Sequence, residues 1–125
     1  MSIALKVLVG ITGLLLAYLA VQWIFTPAAM AETLGLSLAG APAFNAARGS
    51  IGGPLLGSAV LCGLGLIANE GRYLFAAAIL IGCVFAGRVV GIVVDGPAPT
   101  SVTAVSVEIV MVAALVGLGR LQTKT

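Results

Sequence analysis

Long uncharged apolar runs alternate along the chain with short polar interruptions. Val7 to Thr26 and Gly49 to Asn69 contain no charged residue. Two more runs reach similar length only by enclosing one charge each: Tyr73 to Val94 takes in Arg88, and Val102 to Gly119 takes in Glu108. A helix needs roughly 20 mainly apolar residues to cross the hydrocarbon of a bilayer. The pattern therefore predicts four transmembrane helices, near residues 4–26, 43–68, 73–94 and 102–120. The expected fold is all-α, an integral membrane four-helix up-and-down bundle. Residues 1–125 are read as a single domain, because the longest connection, 27–42, is too short to hold a second.

Composition says which solvent these runs face. Of 125 residues, 61% are hydrophobic and 8% charged, and the mean hydropathy is +1.23; soluble domains carry about 25% charged residues. Small domains also bury the smallest fraction of their chain, so a water-soluble fold of this length could not hide such a surface. A secretory signal is the competing reading of the first run, with Lys6 as its basic start and Ala29-Met30-Ala31 as a cleavage-like site. Signal cores are only about 7–15 residues long, so a retained anchor is expected.

Lysine and arginine collect on the cytoplasmic side of membrane proteins. Four spans bring both termini and the 69–72 turn to one side, which holds Lys6, Arg72, Arg120 and Lys124. The opposite loops, 27–42 and 95–101, hold neither residue type. Both termini are expected in the cytoplasm. Trp23, Phe25 and Phe44 then fall at the outer boundary, Tyr73 and Phe75 at the inner one. Within the first outer loop, Thr26-Pro27 reads as a helix start, since proline's missing N–H costs nothing there. Ala28 to Leu34 could form a short surface helix stopped by Gly35. Asp95 to Pro99 ends the third span, and Thr100 or Ser101 is expected to cap the fourth.

Glycines give the packing signal. Gly49, Gly53 and Gly57 recur every four residues and line one face of span two; Cys83, Gly87 and Gly91 form a similar stripe on span three. Helices in lipid associate by close backbone approach through small residues, so both stripes are expected at helix–helix contacts. Pro54 should kink span two, because it removes a bond to the Ser50 carbonyl.

Chemistry rests on a few charges. Arg48, Arg88 and Glu108 all lie ~8–10 Å inside the outer boundary, counting ~1.5 Å per helical residue. Asn45 is one turn outward of Arg48, and Asp95 is two turns beyond Arg88. An isolated charge in hydrocarbon costs at least ~2.5–3.5 kcal/mol. The expectation is that Glu108 accepts from Arg88 and Arg48, with Asp95 and Asn45 completing a ligand-binding or structural charge network. The net charge of +2 comes with no basic cluster for nucleic acid. Histidine is absent, and Cys62 and Cys83 lie at different depths, which argues against a disulfide and for small packing residues. No set of ligands for zinc or haem is present, so neither metal nor cofactor is expected.

The run Asn45 to Gly53, then Gly87-Arg88, Asp95-Gly96-Pro97 and Glu108, resembles small bacterial four-helix membrane proteins of unknown function in the DoxX-like superfamily. The resemblance spans nearly the whole chain. It implies a four-helix bundle of the bacterial inner membrane whose Arg and Glu positions match Arg48, Arg88 and Glu108; relatives include subunits or partners of membrane redox enzymes. The small multidrug-resistance transporters also have four helices and a membrane carboxylate, but theirs lies in the first helix, where this chain has no acidic residue. With no nucleophile beside a base and no phosphate-binding loop, an enzyme is not expected. The leading expectation is a noncatalytic accessory or assembly partner that meets a membrane protein or a second copy of itself through glycine-lined faces. The alternative is a binder of a small lipophilic molecule (quinone, isoprenoid or lipid) at the Arg48/Arg88/Glu108 level. Transport ranks third.

Overall fold

A computed structural model of the protein describes residues 2–123. Lys124, assigned above to the cytoplasmic end, lies outside the described residues. The helices are α1 (Ser2–Phe25), α2 (Pro27–Thr33), α3 (Gly40–Ala46), a π-helical turn over Ala47–Gly52, α4 (Gly53–Ala68), α5 (Gly71–Asp95) and α6 (Pro99–Thr123). Segments α3, the π turn and α4 run on as one apolar helix, Gly40–Ala68. Together with α1, α5 and α6 it makes four helices long and apolar enough to cross a membrane. The protein is an all-α bundle and a multi-pass membrane protein.

Local chemistry sets the helix ends. The α1 run stops where proline cannot donate: Thr26 sends both its N–H and its hydroxyl to the Gln22 carbonyl, and Pro27 then opens α2 at a first-turn position. Gly35 leaves α2 at φ +71, a left-handed conformation that glycine adopts without steric cost. Asn69, at φ +54, closes α4 the same way. The fourth span begins earlier than expected. Pro99 starts it, with Val102 N–H donating to the Ala98 carbonyl, so Thr100 and Ser101 sit inside the first turn rather than capping it. Proline's fixed φ suits a first helical residue.

Each long helix packs on its neighbour in sequence, and α6 closes the ring against α1. The main core lies toward the end that carries the termini. It contains Val9 and Leu16 of α1, Cys62 of α4, Leu74, Ala77 and Ile81 of α5, and Met111, Leu115 and Leu118 of α6. There Gln122 donates to the Gly65 carbonyl at 3.0 Å, tying α6 to α4. A smaller cluster at the far end joins Trp23, Ala31 and Ala47, so α2 is folded back onto the bundle. Trp23, two residues from the end of α1, is therefore buried. Outward surfaces are apolar on every long helix, with Ile3, Leu14, Ile67 and Val93 each at least 74% exposed; lipid is the solvent that tolerates this.

The glycine contacts fall elsewhere than on the expected stripes. A Cβ added at Gly49, Gly53, Gly57, Gly87 or Gly91 would meet nothing within 4 Å. The close approaches are at Gly52, whose added Cβ would lie 2.8 Å from Ile24 Cγ1; at Gly65 against Leu74; at Gly71 against the Gly119 carbonyl; and at Gly119, 3.0 Å from the Phe75 ring. Gly52 is one residue, roughly 100° of helix rotation, away from the Gly49/Gly53/Gly57 line. A four-residue spacing identifies a face but not the direction in which it points. A π turn over Ala47–Gly52 precedes Pro54, interrupting the regular α-helical ladder there.

Because the Gly71 contact is with backbone, a methyl group there cannot be relieved by a side-chain rotation. Gly71→Ala should cost about 1–3 kcal/mol. Gly57→Ala, in open space, should be neutral or stabilising by up to about 1 kcal/mol. Thermal unfolding in mild detergent reads both, and equal losses would contradict this packing.

Candidate functional site

The α5–α6 hairpin brings a cation and an anion to one level. At ~1.5 Å per residue, Arg88 lies about 10 Å back from the end of α5, and Glu108 about 13 Å in from the start of α6. Arg88 Nε donates to Glu108 Oε1 at 2.7 Å. The side chains are 31% and 9% exposed, respectively. Glu108 is thus buried in the apolar packing of α6, and its Oε2 has no hydrogen-bond partner among the described residues. This pair answers the cost of charge at membrane depth by mutual neutralisation.

The structure does not gather the other expected members. Arg48 is exposed, and its Nη1 donates to the Ile24 carbonyl. That oxygen belongs to the last turn of α1, where carbonyls lack helical partners and a cation suits the helix dipole. Arg48 therefore ties the π turn to the end of α1 and forms no ion pair with Glu108. Asn45 and Asp95 are exposed, with no side-chain hydrogen bond or ion pair among the described residues. Of the five residues in the expected network, the structure joins Arg88 and Glu108.

At the same end the helices border a partly open cavity of about 630 Å³. Trp23 from α1, Met30 from α2, Pro54 and Leu55 from α4, Val84 from α5 and Ala104 from α6 give it a largely apolar wall, and Arg88 supplies a charge. Hydroxyls on the wall are mostly engaged: Thr33 donates to the Met30 carbonyl at 2.6 Å, and Ser58 to the Pro54 carbonyl at 2.9 Å. Arg88 is not. Its single hydrogen bond among the described residues is the one from Nε, so both terminal nitrogens are open donors. Cys83 also lines the cavity and is exposed, whereas Cys62 is buried in the core; both are free thiols. The expectation of two buried packing cysteines thus holds for Cys62 alone. A separate groove of about 360 Å³ lies over α5 and α6, lined by Glu108 together with Gly82, Phe85 and Val112. The ion pair stands between the two spaces.

Residues 4–120 match a family described as a domain of unknown function (DUF4345). The chain belongs to that family. No curated protein and no solved structure matches it. In this DUF4345 member, sequence reasoning found the ion pair but missed the cavity wall. Trp23, Ser58 and Ala104 are common residue types in membrane helices, and nothing in their spacing sets them apart. Gln122 was missed too, although a buried amide near the end of an apolar helix is a signal that could have been read.

The pair should behave as a unit. Arg88→Leu strands a buried carboxylate and should destabilise by about 3–5 kcal/mol. The double variant Arg88→Leu/Glu108→Leu should recover most of that loss, because no charge is left behind. Thermal unfolding of the two variants side by side tests the coupling, and additive losses would show that the two side chains act separately.

Proposed function

We propose that this protein is a noncatalytic binder of a small lipophilic molecule, held in the far-end cavity with its polar end at Arg88. The observation that carries this reading is a donor without an acceptor: Arg88 faces a space of about 630 Å³ with two unpaired terminal nitrogens. Ligand sites span about 300–1,000 Å³ and combine apolar walls with a few fixed polar groups. Glu108 holds the guanidinium through Nε and so fixes its orientation while leaving the other donors free. In the orientation favoured by Lys6, Arg72 and Arg120, both termini are cytoplasmic and the cavity opens toward the outer leaflet of a bacterial inner membrane. Membership of the DoxX-like superfamily is part of the same reading, supported by the motif residues around Arg48, Arg88 and Glu108 and by the four apolar helices.

A second reading is that of an accessory subunit docked on another membrane protein or on a second copy. Its support is the outward Gly49/Gly53/Gly57 face, which is exposed and has open space above each glycine. Such faces let helices approach closely in lipid.

Native mass spectrometry of protein purified in mild detergent, followed by analysis of the released molecules, tests the two readings. The expected result is one lipophilic molecule per chain. Val84→Phe, which fills the cavity, should lower its affinity by about tenfold, equivalent to ~1.4 kcal/mol. Val93→Phe, on an exposed surface outside the cavity, should not. Protein that is empty of ligand but carries a stoichiometric polypeptide would replace the first reading with the second.

A further inference from the structure

Resting on the ligand-binding reading, we infer that the head group presented to Arg88 is a neutral carbonyl, as in a quinone ring or an ester, and not an anion. The inference comes from how the charges and donors around the cavity are already committed. Arg88 and Glu108, 2.7 Å apart, neutralise each other. Arg48, the other cation of this end, is engaged with the Ile24 carbonyl and is not part of the cavity wall. Asp95 and Glu32, the remaining charges nearby in the sequence, are acidic and exposed. An anionic head would therefore share one guanidinium with Glu108 and leave a net negative charge in a low-dielectric site, where such excess is costly.

A carbonyl adds no charge. Its oxygen has two lone pairs, and Arg88 offers terminal N–H groups that nothing else uses. The wall hydroxyls of Thr33, Ser50 and Ser58 are neutral and can satisfy a neutral ligand's polar atoms, but none of them supplies the positive charge that an anion would need. The flat indole of Trp23 lines the same cavity. A carbonyl-bearing ring could pack against it with its edge toward the guanidinium.

Trp23 supplies the assay, because it is the chain's one tryptophan, lines the cavity and is only 4% exposed, so quencher dissolved in detergent is kept from it. Three probes would be titrated against its fluorescence: a short-tailed benzoquinone, a fatty acid brominated along its chain, and the methyl ester of that acid. The pH is set so that the acid is ionised. The expected result is quenching by the quinone or the ester at concentrations at least about tenfold below those needed for the acid, and the relative strengths of those two arms separate a ring from a lipid-like source. Arg88→Lys keeps a cation beside Glu108 but removes the planar spare donors, and should weaken the preferred probe by about tenfold. Quenching by the acid at the same or lower concentration than by its ester would overturn the neutral-head inference while leaving the pocket standing. The comparison needs only the unaltered protein, so it holds even if Arg88→Lys fails to fold. Failure of all three probes to reach Trp23 would instead overturn the ligand reading beneath it.

Discussion

Hydrocarbon supplies no water to a charged side chain, and the arrangement of this bundle's far half follows from that. Glu108 cannot sit within α6 as an isolated carboxylate, so α5 and α6 must align at the register that puts Arg88 Nε on it. Because the two helices are joined by the short Gly96–Ala98 turn, this single contact also fixes how far one can slide along the other. Pairing with Glu108 occupies only one edge of the guanidinium. The same interaction that makes the charges tolerable therefore leaves directed donors over an otherwise apolar space.

The two halves of the bundle divide their roles. Near the termini, small residues let backbones meet: Gly71 lies against the Gly119 carbonyl, and Gly65 lies under Leu74, so that leucines and alanines close the core. At the far end the packing opens. The π turn over Ala47–Gly52 interrupts the helix ahead of Pro54, Arg48 fastens that turn to the end of α1, and α2 folds in beside Trp23. The cavity lies at this same end, with Trp23, Met30 and Pro54 in its wall. A tight half positions the frame, and a loose half provides the room.

The expected network was too inclusive for an identifiable reason. Depth along a helix follows from counting residues, and Arg88 and Glu108 do meet at one level. Depth says nothing of azimuth. Arg48 found an acceptor nearer than Glu108, the unpaired carbonyl of Ile24 at the end of α1, and Asn45 and Asp95 lie at exposed positions. The same ambiguity governed the glycines. In a soluble helix the polar face marks the outside, but here lipid-facing and core-facing positions are equally apolar, and the regular Gly49/Gly53/Gly57 spacing carried no direction.

What the chain determines by itself is whatever depends on length and on the cost of charge. Four apolar runs near 20 residues can only be membrane helices; Thr26-Pro27, Gly35 and Gly96-Pro97 mark where they break; and an Arg and a Glu inside adjacent runs have strong reason to meet. Rotation of each helix about its axis was left to tertiary structure, because it depends on which small residues interlock across the bundle and on the single inserted residue of a π turn. Rotation in turn decided that Gly52 and Gly71 make the close contacts, that Trp23 is buried, and that Arg88 looks into a cavity rather than into lipid.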